Sequence, residues 1–289
     1  MTAAPLGVAP AARTRQRRRR RSNVSVALAF GWAGLIVLLC LTAQWLPLHD
    51  PTTSVGNPNL EPSLTREFLG TDAIGRSLLS RIAYGARASV EISLSATLLA
   101  MVIGVILGLA TVYLRGVFTE IVDTLTNAVL AVPALLLLLA IMMALRPSTP
   151  VLIGALGFIF IPAFMRLTRA SAQSQMHREY VLAARAMGAG GPRLMLREVL
   201  PNAILPVISY AALVLPSIMI TEGSLSYLGF GVQPPTPSWG AMIAQGQPAL
   251  ARAPWPTIIP CIVMFATVLA LNTIGDWLRV RMDAREGQL

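Results

Sequence analysis

Apolar and polar positions fall in blocks along this chain. Six windows carry no ionisable Asp, Glu or Arg: 24–46, 92–114, 124–145, 147–165, 201–221 and 253–275. About 20 apolar residues in a helix cross the hydrocarbon core of a bilayer. Each window meets that length, so the pattern predicts an all-α polytopic membrane protein with six transmembrane helices. Only Arg146 separates the third window from the fourth, which predicts a tight hairpin. Pro133, Pro162, Pro206, Pro216 and Pro260 lie inside windows. They predict kinks, because neighbouring helices can satisfy the carbonyls that proline frees. No internal repeat is evident, which speaks against carriers built from inverted repeats.

Between the fourth and fifth windows lies a longer polar stretch, "REYVLAARAMGAGGPRLMLREVLPNAILPV", residues 178–207. A helix is predicted over 178–187. Tyr180, Ala183, Ala184 and Met187 follow the spacing i, i+3, i+4, i+7 and share one face. That face is small in its middle, so another backbone can approach it. Gly188 suits the position just past a helix end, and Gly190 and Gly191 permit a sharp turn. Pro192 suits the first position of a second short helix. There Arg193 and Arg197 are expected toward solvent, and Leu196, Val199 and Leu200 toward a contact. Leu200 and Pro201 are expected to end it. One reading is an amphipathic loop resting on headgroups; the other is a compact face offered to a partner.

Composition agrees with the blocks. Hydrophobic residues make up 55% of the 289 and charged residues 12%, against about 25% charged in soluble domains. Mean hydropathy is +0.65. All 23 basic residues are arginine. Without lysine the chain cannot form a P-loop, whose lysine sits on the nucleotide phosphates, nor a Schiff base. Cys40 and Cys261 lie in apolar windows, and His49 and His177 show no metal-ligand spacing, so no metal and no catalytic residue is expected.

The arginines set a direction. With the N-terminus in the cytosol, 17 fall in inner segments and six in outer ones, as the positive-inside rule asks. Both termini are then cytosolic. The expected organisation is an Arg-rich cytosolic tail at 1–23, a first transmembrane helix at 24–46, an extracytoplasmic segment at 47–87, a transmembrane core at 88–276 and a cytosolic tail at 277–289. The tail "RTRQRRRRRS" reads as a topogenic anchor against anionic lipid. Glu120, Asp123 and Asp276 sit near helix ends, where interfacial pairing accounts for them. Ser93, Ser95 and Thr97 either line a wet path or bond another helix.

Four ordered segments carry a family resemblance. "AARAMG" at 183–188, followed by "EVLP" at 198–201, resembles the EAA loop of ABC importer permeases. "LGTDAIGRSLLSRIAYGARASV" (69–90), "EGSLSYLGFGVQPPTPSWG" (222–240) and "NTIGDWLRVRMDAR" (272–285) resemble segments of the dipeptide/oligopeptide/nickel branch, its C-type subunit in particular. Leu182 stands where the loop's eponymous Glu often sits, and Asn127 where relatives often have Asp.

The resemblance implies the type I ABC importer permease fold, with a cytosolic coupling helix between spans 4 and 5. ATPase coupling would fall to Glu179, Tyr180, Ala183, Ala184, Arg185, Gly188, Leu200 and Pro201. Gln233, Pro234, Pro235 and Trp239 would dock an extracytoplasmic binding protein, unless that loop is only a Pro-stiffened turn. Asn127, Ser93 and Thr97 are candidates for the pathway. The chain itself would hold no cofactor, since partner ATPases bind the ATP and Mg. Further implied partners are a homologous second permease and a peptide substrate. The implied place is the cytoplasmic membrane and the implied work peptide import, with nickel or glutathione as other cargoes. A self-sufficient secondary carrier is the rival from a different class.

Overall fold

The computed structural model describes residues 11–64 and 67–286, with side chains from 24 to 282 apart from 65 and 66. The rest of the expected tails, 1–10 and 287–289, lies outside the described residues, as do the side chains of Arg13 to Arg21 and of Asp283 and Arg285.

The described chain is helical, with only two isolated β-bridges, Ser54 to Arg76 and Thr71 to Ser77. Five long helices form the bundle: α1 (Ala11–Thr42), α2 (Leu78–Leu114), α5 (Thr149–Gln175), α8 (Leu200–Tyr227) and α10 (Trp255–Glu286). Each contains a stretch long and apolar enough to cross a membrane. Between α2 and α5 come α3 (Val117–Ala131) and α4 (Ala134–Ala144), and between α5 and α8 come α6 (Glu179–Ala186) and the single turn α7 (Gly191–Arg193). A short helix α9 (Trp239–Gly246) precedes α10.

The third predicted span is not one rod. α3 and α4 are long and apolar enough to span a membrane only as a pair, and they are bent by 95° at their junction. Pro133 explains the break. Its ring disfavours helical backbone in the residue before it and it has no N–H to donate. Val132 is accordingly extended, with φ −92° and ψ 132°. Pro162, Pro206, Pro216 and Pro260 lie inside unbroken helices. Pro201 also fails to end a helix. The chain is helical from Gly191 to Tyr227, and the turn before Pro201, Leu194–Val199, is π-helical. There the Leu200 N–H bonds Met195 O, five residues back. A wider turn absorbs the register that a proline disrupts.

Helices also overrun the predicted windows. α2 begins at Leu78, before Arg81, Arg87 and Glu91; α5 runs on through Arg166 and Arg169; α8 runs on through Glu222. The windows stop at the first charge, whereas a helix stops only where its backbone or packing does.

α2 packs along α5 through two glycines one turn apart. A Cβ on Gly104 would lie 2.4 Å from Phe164 Cβ, and one on Gly108 would lie 2.7 Å from Thr168 Cβ and 2.8 Å from Met165 O. With no solvent-driven attraction between lipid-embedded helices, such close contact is what holds them. Ala96, Ala100, Leu138, Leu152, Leu156, Phe164 and Ile218 fill the core between α2, α4, α5 and α8. α1 lies at the periphery against α10 and α2, with little of its apolar length buried. Trp32 Nε1 donates to Thr267 Oγ1 at 3.0 Å and ties it to α10.

Candidate functional site: the α6–α7 turn and the two ends of the bundle

α6 forms where the alternation of small and apolar residues predicts it. Glu179 in its first turn and Arg185 in its last complement the helix dipole. Its C-terminal end closes as expected: Gly188 has φ +83°, its N–H bonds Arg185 O at 3.0 Å, and the Ala189 N–H bonds Ala184 O at 3.0 Å. This pair of bonds is the Schellman cap, which glycine completes without steric cost. Gly191 then runs against α2, where a Cβ would sit 2.5 Å from Tyr113 Cε2.

The face differs in part from the predicted one. Val181 and Ala184 point inward and are buried, so Ala184 does not share the outer face with Ala183. Glu179, Leu182, Ala183, Arg185, Ala186, Met187 and Gly188 are exposed, Met187 by 82%. In the following turn Leu194, Met195 and Val199 are buried, while Leu196 is exposed by 60% rather than turned to a contact. Tyr180 brackets the turn. Its hydroxyl donates to Gln175 Oε1 at 2.8 Å and accepts from Asn202 Nδ2 at 3.1 Å, and Asn202 Nδ2 also reaches Glu198 O at 3.0 Å. Partial burial pushes the Tyr180 phenol above its usual range. α5, α6 and α8 are thus joined by one polar chain, with Leu200 half-buried and Pro201 exposed beside it.

Beside the turn, α3 is clasped to α5. Arg169 Nη1 donates to both oxygens of Asp123 at 2.8 Å, and Arg166 Nη2 donates to Asn127 Oδ1 at 2.8 Å. Asn127 is therefore a partner of α5. The spacing i, i+4 on α3 and i, i+3 on α5 was visible in the sequence, but no rule pairs two particular helices. A cleft of about 650 Å³ opens next to the clasp, between the facing ends of α2, α3, α5 and α6.

The opposite end is stapled by polar groups. Asp72 accepts from Arg76 Nε at 2.7 Å and from the Ile74 and Arg76 N–H groups at 3.0 Å each. Arg81, 2% exposed, lies 3.5 Å from Asp72 Oδ2, and its Nη2 donates to Gln245 Oε1 at 2.9 Å. Ser77 Oγ donates to Glu67 Oε2 at 2.6 Å. Gly70 and Gly75, with φ +79° and +83°, lie where a Cβ would strike backbone carbonyls at 2.3 and 2.2 Å. The segment 69–90 is thus a structural joint whose arginine sequence reasoning left in the loop.

Trp239 is no surface anchor. It is fully buried, its Nε1 donates to Ile82 O at 3.1 Å, and Gly85 leaves room for its ring. An indole buried with its N–H satisfied is a packing residue. Gln233, Pro234 and Pro235 are exposed above it. Ser93 and Thr97 are buried and donate to their own helix, to Ser89 O and Ser93 O at 2.7 Å each. Both therefore lie in the interior of this chain. Ser226 Oγ donates to the buried Glu222 Oε1 at 2.7 Å, and Trp239 N lies 3.4 Å from Ser89 Oγ. Among the described residues no group of three His, Cys, Asp or Glu could hold a metal.

A bundle of apolar helices with a capped, exposed turn at one end and a stapled loop layer at the other is the build of a multi-pass membrane protein. Residues 100–287 match the family described as binding-protein-dependent transport system inner membrane component. The chain is similar to the di/tripeptide transport system permease protein DppC of Pseudomonas aeruginosa, with 38% identity over 87% of this chain and 85% of that protein. It is 35% identical to the dipeptide permease DppC of Haemophilus influenzae, covering 87% of each chain. It is 34% identical to the glutathione permease GsiD of Pectobacterium atrosepticum, covering 88% of this chain and 86% of that one. A crystal structure of an amino acid ABC transporter with histidines superposes with a TM-score of 0.57 over 70% of this chain and 94% of that chain. At 16% identity that likeness speaks for the fold, the type I importer permease fold.

The chain belongs to this family of inner membrane components of binding-protein-dependent transport systems, in the dipeptide/oligopeptide branch of ABC importer permeases.

Proposed function

We propose that this chain moves di- and oligopeptides into the cell as one half of a permease pair, driven by ATPase subunits that dock on the α6–α7 turn. The observation that carries the reading is the turn itself. It is capped, bracketed by Tyr180 and Asn202, and presents Ala183, Ala186 and Met187 outward with no described neighbour over them. A rigid element with an exposed apolar face transmits displacement. Glu179, Tyr180, Ala183, Arg185 and Gly188 form the docking side, with Ala184, Leu200 and Pro201 supporting it from behind.

The turn end then faces the cytosol, both termini lie there, and residues 88–276 form the translocation core. ATP and Mg belong to the ATPases, in keeping with a chain that has no lysine. ATP closes the ATPase pair, the two coupling turns approach, and the permease pair opens outward to a loaded binding protein that meets Gln233, Pro234 and Pro235. Hydrolysis resets it. Peptide cargo is supported by the di/tripeptide and dipeptide relatives. Glutathione, itself a tripeptide, is the second reading, supported by the GsiD relative.

Affinity purification in mild detergent tests the coupling. The wild-type chain is expected to bring down P-loop ATPases and a second permease, with ATPase activity in the eluate. Ala183→Asp, at an exposed position, is expected to lose the ATPases while the chain still folds. Retention of the ATPases by the variant, or transport by the chain alone in liposomes, would overturn the reading. Competition of labelled dipeptide uptake by glutathione separates the two cargoes.

A further inference from the structure

The cleft beside the turn carries charge that the clasp does not use. Three arginines line it, Arg115, Arg169 and Arg185, against Glu120 and Asp123. Arg169 is consumed by Asp123. Arg115 donates only to Val112 O at 3.4 Å. The Arg185 guanidinium meets no acceptor among the described residues, and neither free arginine pairs with Glu120 or any other described carboxylate. Both also line a second, adjoining cleft of about 350 Å³, so the two arginines lie at the same pair of openings. With Arg169 and Asp123 paired, Arg115 and Arg185 stand against Glu120 alone, and this excess of positive charge favours an anion in the cleft.

The backbone at Arg115 points the same way. It sits at φ 46° and ψ −176°, a region in which glycine rests easily and other residues are strained. Gly116 follows with φ +60°. An arginine is held where glycine would be unstrained. Around it Tyr113, Leu114, Val117 and Ile121 are all about half exposed or more, which is apolar surface of the kind acyl chains cover.

We propose that this cleft holds the phosphate of an anionic phospholipid headgroup between Arg115 and Arg185, with acyl chains over Leu114, Val117 and Ile121. Basic pockets between spanning helices are suited to such headgroups. The lipid would join the end of α2 to α6, placing a membrane component against the turn proposed to couple to ATPases. Arg185 also lies on the proposed docking side whereas Arg115 does not, so the test is made at Arg115, where loss of lipid with ATPases retained separates the two readings.

The test is phospholipid retention by the full chain, purified in mild detergent with whatever subunits accompany it and read by native mass spectrometry. Arg115→Gln is compared with Arg146→Gln, a charge-matched change at an exposed arginine between α4 and α5. Wild type and Arg146→Gln are expected to retain phosphatidylglycerol, and Arg115→Gln to hold it roughly fivefold more weakly. Arg115→Gly is expected to lose the lipid while gaining thermal stability, an outcome that a purely structural arginine would not give. Equal retention in all variants overturns the proposal. Displacement of the lipid signal by inorganic phosphate alone would assign the cleft to a soluble anion and overturn it as well. Loss of ATPase subunits from Arg115→Gln with lipid still bound would make the cleft a protein contact, with the same consequence.

Discussion

At the scale of single residues the decisive features are contacts with no slack. Gly108 admits α5 so closely that any side chain meets Thr168 and Met165 O, whereas Gly154 has open space around it. Gly108→Leu is therefore expected to destabilise the bundle by about 1–3 kcal/mol, and Gly154→Leu to be neutral or slightly stabilising, since leucine is the better helix former. Thermal unfolding in detergent compares them. Trp239→Ala empties a fully buried site and removes the bond to Ile82 O; a loss of about 3–5 kcal/mol is expected. Gln233→Ala, on the exposed loop above it, should stay within about 0.5 kcal/mol in the same assay. The sequence marked both Trp239 and Gln233 as candidates for one surface. Only packing separates them, because an aromatic in a Gly- and Pro-rich loop reads the same whether it points out or in.

At the scale of elements the α3–α5 clasp is a non-local feature of the turn end. Asp123 and Arg169 are part exposed, 41% and 28% by side chain, so water and salt screen them. A double-mutant cycle on Asp123→Asn and Arg169→Gln is expected to give a coupling of about 0.2–1 kcal/mol, smaller at high salt. A coupling of zero at low salt would remove the clasp from any account of how α3 is held. The α6 cap behaves in the opposite way. Gly188 after Ala183-Ala-Arg-Ala-Met187 is a local signal, and it closes the helix where the sequence places it. Pro201 misled because a proline signals a stop only when the preceding turn cannot widen, and here it is π-helical. Pro133, the same residue in an apolar run, broke its helix by 95°. Nothing local distinguishes the two.

At the scale of the whole molecule the proposed orientation is open to a direct check. In a background free of Cys40 and Cys261, a cysteine at Gln233 is expected to react with a membrane-impermeant thiol reagent from outside intact cells. A cysteine at Met187 is expected to react only after permeabilisation. Both sites are exposed, so burial does not confuse the result, and the reverse pattern would invert the molecule. The peripheral position of α1 fits an added helix, since it meets the bundle mainly through α10 and α2.

The motif resemblance pointed to a permease; the sequence pattern by itself determined that the chain is a helical membrane protein, how many apolar segments it has, and where the α6 turn is capped. These follow from hydropathy over a window, charge placement and glycine at one helix end, all of which act between near neighbours. Tertiary structure alone decided that the third apolar segment is bent, that α2 starts among arginines, and that Arg81, Trp239, Ser93 and Thr97 are inside. The two largest of these side chains depend on partners far along the chain, Gln245 for Arg81 and Ile82 for Trp239. A charged or polar side chain is legible as buried only once the group that satisfies it is in place beside it.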